Sequence, residues 1–101
     1  MGISIGIVGL GSFGSGFAEM FRAHPLVDRI ALCDLEPERV RSFAQRPAWG
    51  SKLAPRDCYS SLDDICRSDV SALAIFTQHW LHAPQCLKAL QSGKHVYCAV
   101  P

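Results

Sequence analysis

An α/β fold built on a parallel sheet is predicted by three observations. Strand-like and helix-like stretches alternate from one end of the 101-residue chain to the other. The strand-like stretches are mostly apolar, which is typical of strands buried on both faces under helices. A glycine-rich turn joins the first strand to the first helix. With right-handed crossovers, this order predicts a Rossmann-type doubly wound sheet with the strand order 3-2-1-4-5.

The first half of the chain is predicted to hold two strands and two helices. The strands are Ile3–Val8 and Arg29–Asp34, and the helices are Ser12–Arg22 and Pro37–Gln45. The first helix carries four large apolar residues at helical spacing, which predicts that they share one side: Phe13, Phe17, Met20 and Phe21. Residues 47–57 contain glycine and prolines and are predicted to be the least regular segment.

The second half repeats the alternation. Cys58-Tyr59 is at most a short third strand, and Ser61 is predicted to cap the helix that follows it. Val70–Phe76 is a strongly apolar strand. A helix over Trp80–Ser92, which Gly93 ends, leads into a last strand at His95–Cys98.

The glycine-rich turn carries the motif G-x-G-x-x-G, at Gly9, Gly11 and Gly14. The first glycine permits a tight turn, the second lets a pyrophosphate approach the backbone, and the third lets the helix pack closely on the sheet. Asp34 closes the second strand about 20 residues beyond the last glycine. This context predicts a bound dinucleotide, with Asp34 accepting hydrogen bonds from ribose hydroxyls. The alternative is a glycine-rich turn that binds no ligand.

The start of the first helix, including Ser12 and Phe13, is assigned to the same site. Backbone N–H groups and the positive end of the helix dipole face the phosphates there. Asp34 should repel a 2′-phosphate, so the sequence favours NAD, with NADP second. Arg39 is the candidate counter-charge that could weaken this preference.

Composition and charge narrow the class of protein. The length favours one domain over residues 1–101, and the net charge of +1 gives no reason to expect nucleic acid or a membrane as partner. No apolar run approaches the roughly 18 residues of a membrane span, and no secretory signal is recognisable. The five scattered cysteines include no C-x-x-C pair. They predict reduced thiols in a cytoplasmic protein, without a zinc site or a disulfide framework.

Three segments together resemble the Gfo/Idh/MocA family of nicotinamide-dependent oxidoreductases (glucose–fructose oxidoreductase, inositol dehydrogenase, rhizopine catabolism). They are GIVGLGSFG at 6–14, YSSLDDI at 59–65, and AIFTQHWLH at 74–82, which runs on to ALQSGKHVYCAVP at 89–101. The resemblance covers essentially the whole chain. It implies that Thr77 lies at the nicotinamide side of the cleft and that His82 is the family histidine at the cofactor site. The alternative for His82 is a helix-terminal histidine that faces solvent. His79 and His82 without a third ligand do not predict a metal site.

Two departures from the family pattern leave the catalytic residues unassigned. The family usually carries Glu-Lys-Pro where this chain has Ala99-Val100-Pro101, and a proline where it has Gln78. In the family the lysine lies beside the nicotinamide and is thought to assist proton transfer. Valine neither titrates nor donates a hydrogen bond, so that role cannot pass to Val100.

The resemblance also implies a second, larger α/β domain after this one, which forms the substrate pocket. We therefore expect the chain to be a truncated unit that meets a small-molecule substrate only with that domain, and to be prone to self-association. Three function classes stay open. The first is the NAD-binding half of a dehydrogenase acting on a sugar, polyol or related hydroxy compound. The others are a non-catalytic dinucleotide-binding or regulatory module, and the cofactor half of an NAD-dependent glycosidase-like member.

The isolated 101-residue chain should bind NAD weakly and produce no NADH from sugars or polyols. It lacks a titratable side chain at Val100, and general acid–base assistance alone is worth about 10²–10⁴-fold. The measurement is NADH absorbance with purified chain. Robust turnover, free of contaminating dehydrogenase, would direct the search for a base to His79, His82 and His95.

Overall fold

The computed structural model describes residues 2–98, apart from the side chains of Ser12, Phe13 and His79. A five-stranded sheet in the order β3-β2-β1-β4-β5 forms its centre, and all neighbouring strands are parallel. The strands are β1 (Ile3–Val8), β2 (Val27–Cys33), β3 (Cys58–Tyr59), β4 (Ala72–Ile75) and β5 (His95–Cys98). The predicted doubly wound α/β fold and its strand order 3-2-1-4-5 are confirmed.

Helices cover both faces of the sheet. They are α1 (Ser12–Ala23), α2 (Pro37–Ala44), α3 (Leu62–Arg67) and α4 (His79–Gln91). One apolar cluster joins α1 and α2 to one face, and a second joins α3 and α4 to the other. The predicted bounds of β1, β3 and β5 are confirmed. Those of the other predicted elements are wrong by one or two residues, most at β2, which begins at Val27, and at β4, which begins at Ala72. No helix within residues 2–98 is long and apolar enough to cross a membrane.

Of the four large apolar residues predicted to share one side of α1, Phe17 and Phe21 pack against the core. Met20 is 54% exposed, so its grouping with them was wrong. Gly14 and Ala18, one helical turn apart, are buried instead, and their small size lets the helix approach the sheet. Phe17 packs beside this contact, its ring 5.0 Å from that of Phe76. The sequence pattern favoured the large residues because it weighs hydrophobicity and does not measure how close the helix lies.

The segment 47–57 is more ordered than its glycine and prolines suggested. It contains two short 3₁₀ helices, Pro47–Trp49 and Pro55–Asp57, each with proline in its first turn. Trp49 is fully buried, and its indole Nε1 donates to Glu19 Oε2 on α1 at 3.1 Å. The segment therefore docks on the α1 side of the sheet through one large side chain.

A buried ion pair fixes the same segment to β2. Asp57 is 1% exposed, and its carboxylate accepts from Arg29 Nε at 3.0 Å and from Nη2 at 2.8 Å. A second carboxylate, that of Asp69, accepts from Arg29 Nη1 at 2.7 Å. The hydrogen bonds to Asp57 and Asp69 raise the pKa of Arg29 above its ordinary value. This bidentate geometry holds the edge of the sheet where β3 supplies only two residues.

The amino end of α3 is capped as predicted, because Ser61 Oγ accepts from the backbone N–H of Asp64 at 3.1 Å. Beyond the carboxyl end of α3, the buried side chain of Lys94 donates hydrogen bonds to the backbone. Its Nζ donates to the carbonyl oxygens of Ser68 and Val70 at 2.6 and 2.7 Å. Ser68 is the C-cap residue of α3 and Val70 lies beyond it, so the cation satisfies carbonyls of the segment that leaves the helix, where a positive charge also complements the helix dipole.

Replacing Lys94 by methionine should lower the free energy of unfolding by about 1–3 kcal/mol, since two carbonyls lose a charged donor while the apolar stem is kept. Urea unfolding measures the loss. Lys88→Met is the matched control, because Lys88 is an exposed lysine that pairs with Asp63 at the surface and such pairs contribute little. Equal unfolding midpoints for the two variants would contradict the assignment.

Candidate functional site

A cleft of about 580 Å³ opens at the carboxyl edge of the sheet. Its walls are the glycine turn after β1, residues 33–39 after β2, and the loop after β4 with the first turns of α4. The chain leaves β1 toward β2 on one side and leaves β4 toward β5 on the other. The cleft is therefore at the switch point of the sheet, where open α/β folds bind ligands.

Two of the motif glycines are required by the fold itself. Gly9 has φ +97°, and a Cβ there would lie 2.9 Å from the carbonyl carbon of Phe76. A Cβ on Gly14 would lie 2.1 Å from the carbonyl oxygen of Gly9. Both contacts are with backbone, so neither position tolerates a side chain without moving α1 or β4.

Gly11 differs, because nothing in the fold excludes a side chain there. Its φ is −70°, and the nearest atom to an added Cβ is Arg39 Nη1 at 3.8 Å. Gly11 nevertheless lines the cleft. The packing of the protein does not require a glycine at this position, the N-cap of α1. The missing side chain leaves room for a ligand to approach the backbone.

The first turn of α1 faces this space. Gly11 is its N-cap and provides no side-chain cap, and the turn includes the backbone of Ser12 and Phe13. The N–H groups of a first turn have no partner within their own helix, and the helix dipole adds partial positive charge. Ser15 Oγ donates to the Leu10 carbonyl at 3.0 Å, which steadies the entry into the helix. This end of α1 suits an anion such as a phosphate.

Asp34 lies beneath the glycine turn and is 8% exposed. Its Oδ2 accepts from the backbone N–H of Leu10 at 2.8 Å, and its Oδ1 accepts from that of Glu36 at 2.9 Å. Each carboxylate oxygen has a second lone pair, so both can still accept from a hydroxyl group. The predicted acid is thus placed beside the glycine turn and fixed in orientation before any ligand arrives.

Arg39 reaches the cleft from the first turn of α2. Its Nη1 lies 3.5 Å from Asp34 Oδ2, and its Nε lies 3.2 Å from Glu36 Oε2. The guanidinium group therefore stands between the acid and Gly11. The sequence named Arg39 as the candidate counter-charge near Asp34, and the fold brings the two side chains together at the cleft.

At the end of β4, Thr77 lines the cleft and α4 holds it in place. Thr77 Oγ1 is hydrogen-bonded to Gln85 Oε1, and His82 Nε2 lies 2.6 Å from the Thr77 carbonyl oxygen. A carbonyl only accepts, so Nε2 carries the proton. His82 is 7% exposed, which rules out a histidine facing solvent. It lies behind Thr77, outside the wall of the cleft.

Two exposed apolar side chains line the cleft beside the exposed polar ones of Glu36, Arg39 and Gln78, a feature that the sequence analysis did not identify. Leu35 is 82% exposed and Trp80 is 65% exposed, and both line it. Leu62 and Leu81 line it further in and are partly buried. The available signal was the position of the two residues: Leu35 follows the acid after β2, and Trp80 is in the first turn of the helix after β4.

Other chemistry at the cleft is limited. Burial, followed by the nearby charge of Asp34, raises the pKa of the Cys33 thiol to about 12, so this side chain is a neutral thiol at pH 7. No three His, Cys, Asp or Glu residues in the described part of the chain are grouped to hold a metal ion. The departure at Ala99, Val100 and Pro101 lies outside the described residues.

The chain is similar to known proteins in three comparisons: with a family model, with curated relatives and with solved structures. The family model "Oxidoreductase family, NAD-binding Rossmann fold" (GFO_IDH_MocA) matches residues 3–101. A glycosyl hydrolase family 109 protein of Bacteroides fragilis is 36% identical over 98% of this chain and 22% of its own length. The chain thus spans about a fifth of that curated relative.

Two solved structures share the fold over nearly the whole chain. The scyllo-inositol dehydrogenase of Lactobacillus casei, with bound NAD(H) and scyllo-inositol, has a TM-score of 0.77 at 26% identity and covers 97% of this chain and 28% of its own. The WlbA dehydrogenase of Bordetella pertussis, with NADH and UDP-GlcNAcA, has a TM-score of 0.74 at 28% identity, covering 97% and 29%. With the family model matching 3–101, the chain belongs to the Gfo/Idh/MocA oxidoreductase family and has its NAD-binding Rossmann fold.

Proposed function

We propose that this chain is the NAD-binding half of an oxidoreductase that transfers a hydride between a nicotinamide cofactor and a sugar, polyol or related hydroxy compound. The observation that carries the proposal is the cleft, in which the open approach at Gly11 leads to the first turn of α1 beside the fixed carboxylate of Asp34. When bound, the nicotinamide ring supplies the hydride chemistry. The scyllo-inositol and UDP-GlcNAcA in two related structures support the substrate class.

The described geometry supports a role for each predicted residue. Gly9 and Gly14 shape the turn, and Gly11 with the amides of Ser12 and Phe13 holds the pyrophosphate. Asp34 accepts from the ribose of the adenosine half, and Thr77 borders the nicotinamide half. His82 acts through its hydrogen bond to the Thr77 carbonyl and is therefore a positioning residue.

Residues 1–101 form the dinucleotide-binding domain in this proposal, and a further domain supplies the substrate pocket. The support is the length of the relatives, of which this chain spans 22% and 28% in two cases. A cleft of about 580 Å³ open at its mouth cannot by itself exclude water or orient a substrate, and orientation is a large part of enzymatic rate enhancement.

A second candidate function is favoured by the 36% identity to a glycosyl hydrolase family 109 protein. A glycosidase that used the cofactor transiently would exchange solvent deuterium into the sugar without net NADH production. A dehydrogenase would produce NADH in proportion to substrate. A protein that joins this chain to a substrate domain and shows neither result would be a binding or regulatory module.

Gly11→Val should abolish NAD binding and leave the fold intact. The added side chain occupies the approach to the first turn of α1, while the nearest atom to its Cβ is the flexible end of Arg39 at 3.8 Å. Isothermal titration calorimetry measures binding, and circular dichroism with urea unfolding measures the fold. Unchanged binding in a folded variant would contradict the assignment of the pyrophosphate site.

Two other glycines of α1 provide the matched controls. Gly16→Ala meets no atom within 4 Å, so it should keep NAD affinity and raise the stability by about 0.5–1 kcal/mol, as alanine does within helices. Gly14→Ala places Cβ 2.1 Å from the Gly9 carbonyl oxygen and should lower the stability by about 1–3 kcal/mol, as overpacking does. A loss of NAD binding caused by unfolding, as in Gly14→Ala, can then be distinguished from a loss of binding in a folded Gly11→Val variant.

NAD should bind more tightly than NADP, by about 10-fold, because the Asp34 carboxylate opposes a 2′-phosphate at short range. Arg39→Gln should widen this ratio, since it removes the cation that lies 3.5 Å from Asp34. Arg41→Gln is the control, because Arg41 pairs with Glu38 on the same helix and does not line the cleft. Tighter binding of NADP, or equal ratios in both variants, would contradict the role of this acid and its arginine.

A further inference from the structure

We infer that Gln85 is a specificity-determining residue of the cleft, which acts with Thr77 to recognise the carboxamide group of the nicotinamide ring. This inference rests on the proposed function, since it assumes a dinucleotide in the cleft. It deepens that function by naming two side chains that distinguish one end of the cofactor and the hydrogen bonds that they offer.

The strand order places the two halves of a dinucleotide on opposite sides of the glycine turn. The neighbours of β1 in the sheet are β2 and β4. Asp34 follows β2 and is assigned to the ribose of the adenosine half, so a pyrophosphate at Gly11 directs the other half toward the end of β4. Thr77 and Gln85 line the cleft on that side. They are therefore among the polar side chains that the nicotinamide half meets.

The helix α4 holds Thr77 by its backbone and by its side chain. The His82 ring donates to the Thr77 carbonyl oxygen at 2.6 Å, and the Thr77 hydroxyl is hydrogen-bonded to Gln85 Oε1. His82 and Gln85 are three positions apart on α4, so their side chains lie on the same side of the helix. The Thr77 hydroxyl is thus fixed in place before any ligand arrives.

The direction of the hydrogen bond between Thr77 and Gln85 determines what each side chain offers to a ligand. An amide oxygen only accepts, so the Thr77 hydroxyl donates its proton to Gln85 Oε1. The hydroxyl oxygen keeps lone pairs that accept, but it has no second proton to donate. The amide nitrogen of Gln85 carries N–H donors, and within the described part of the chain no group accepts from them. The cleft therefore presents an acceptor and a donor side by side.

An acceptor beside a donor is complementary to a carboxamide. The nicotinamide carboxamide has an amide nitrogen that donates to Thr77 Oγ1 and a carbonyl oxygen that accepts from the Gln85 amide. Both side chains are neutral and partly buried, and a hydrogen bond there is stronger than in bulk water. Without Gln85, the Thr77 hydroxyl could turn to donate or to accept, and it would not distinguish an amide from a ketone.

A comparison of ligands on the 101-residue chain tests this assignment. The ligands are NAD, acetylpyridine adenine dinucleotide, which has a methyl group in place of the amide nitrogen, and ADP-ribose, which lacks the ring. Isothermal titration calorimetry gives a Kd for each. The unaltered chain should bind the acetylpyridine dinucleotide about 10-fold more weakly than NAD, because the acceptor at Thr77 loses its donor.

Gln85→Met removes the amide group and keeps the length of the side chain. The affinity for NAD should fall about 10-fold, and the preference for NAD over the acetylpyridine dinucleotide should fall below about threefold, because the released Thr77 hydroxyl can donate to the acetyl oxygen. The affinity for ADP-ribose should change by less than about twofold, since this ligand has no group that reaches the pair. A merely structural effect would weaken all the ligands together.

Gln91→Met is the matched control, because Gln91 is an exposed glutamine at the end of the same helix and does not line the cleft. It should bind each ligand like the unaltered chain. Circular dichroism with urea unfolding checks the fold of both variants. The comparison of NAD with the acetylpyridine dinucleotide on the unaltered chain remains decisive if Gln85→Met does not fold.

Two results would overturn the inference and leave the proposed function standing. One is equal affinity of the unaltered chain for NAD and the acetylpyridine dinucleotide. The other is a folded Gln85→Met variant that keeps the preference of the unaltered chain, or that loses as much affinity for ADP-ribose as for NAD. If the unaltered chain binds neither NAD nor ADP-ribose, the proposed function fails together with this inference.

Discussion

Two backbone amides, those of Leu10 and Glu36, donate hydrogen bonds to the buried carboxylate of Asp34, and this contact joins the turn after β1 to the end of β2. It holds the glycine turn in register with the neighbouring strand. It also fixes Arg39 near Gly11 through an ion pair of 3.5 Å. The acid of the fingerprint therefore organises the cleft in the protein itself, in addition to any contact with a ribose.

Close packing of α1 on the sheet determines where the first turn of this helix points. Gly14 and Ala18 are buried where the helix lies on the sheet, and a Cβ on Gly14 would lie 2.1 Å from the Gly9 carbonyl oxygen. The first turn of the helix consequently points into the cleft between the ends of β1 and β4. The orientation of this helix end is thus a result of small residues in the core, and a larger residue there would turn the helix away from the cleft.

The sequence predicted the features that depend on local pattern, and it failed on features that depend on distant partners. Apolar runs and the glycine motif were sufficient for the strand order and for the place of Asp34. The burial of Asp57 depends on Arg29, 28 positions away in sequence, and that of Trp49 depends on Glu19. His82 is a different case: its partner, the Thr77 carbonyl, is only five positions away, but a hydrogen bond to a backbone carbonyl leaves no pattern in the side chains.

The three glycines of the turn are under two different constraints: the packing of the fold at Gly9 and Gly14, and the approach of a ligand at Gly11. This difference is useful when sequences are compared. A Cβ on Gly9 or Gly14 would lie 2.9 or 2.1 Å from a backbone atom, whereas a Cβ on Gly11 would have Arg39 Nη1 at 3.8 Å as its nearest neighbour. A lineage that stopped binding a dinucleotide would remain under selection at the first two positions and drift at the third. Homologues that keep both outer glycines and replace the middle one are therefore candidates for folded domains that have abandoned the cofactor.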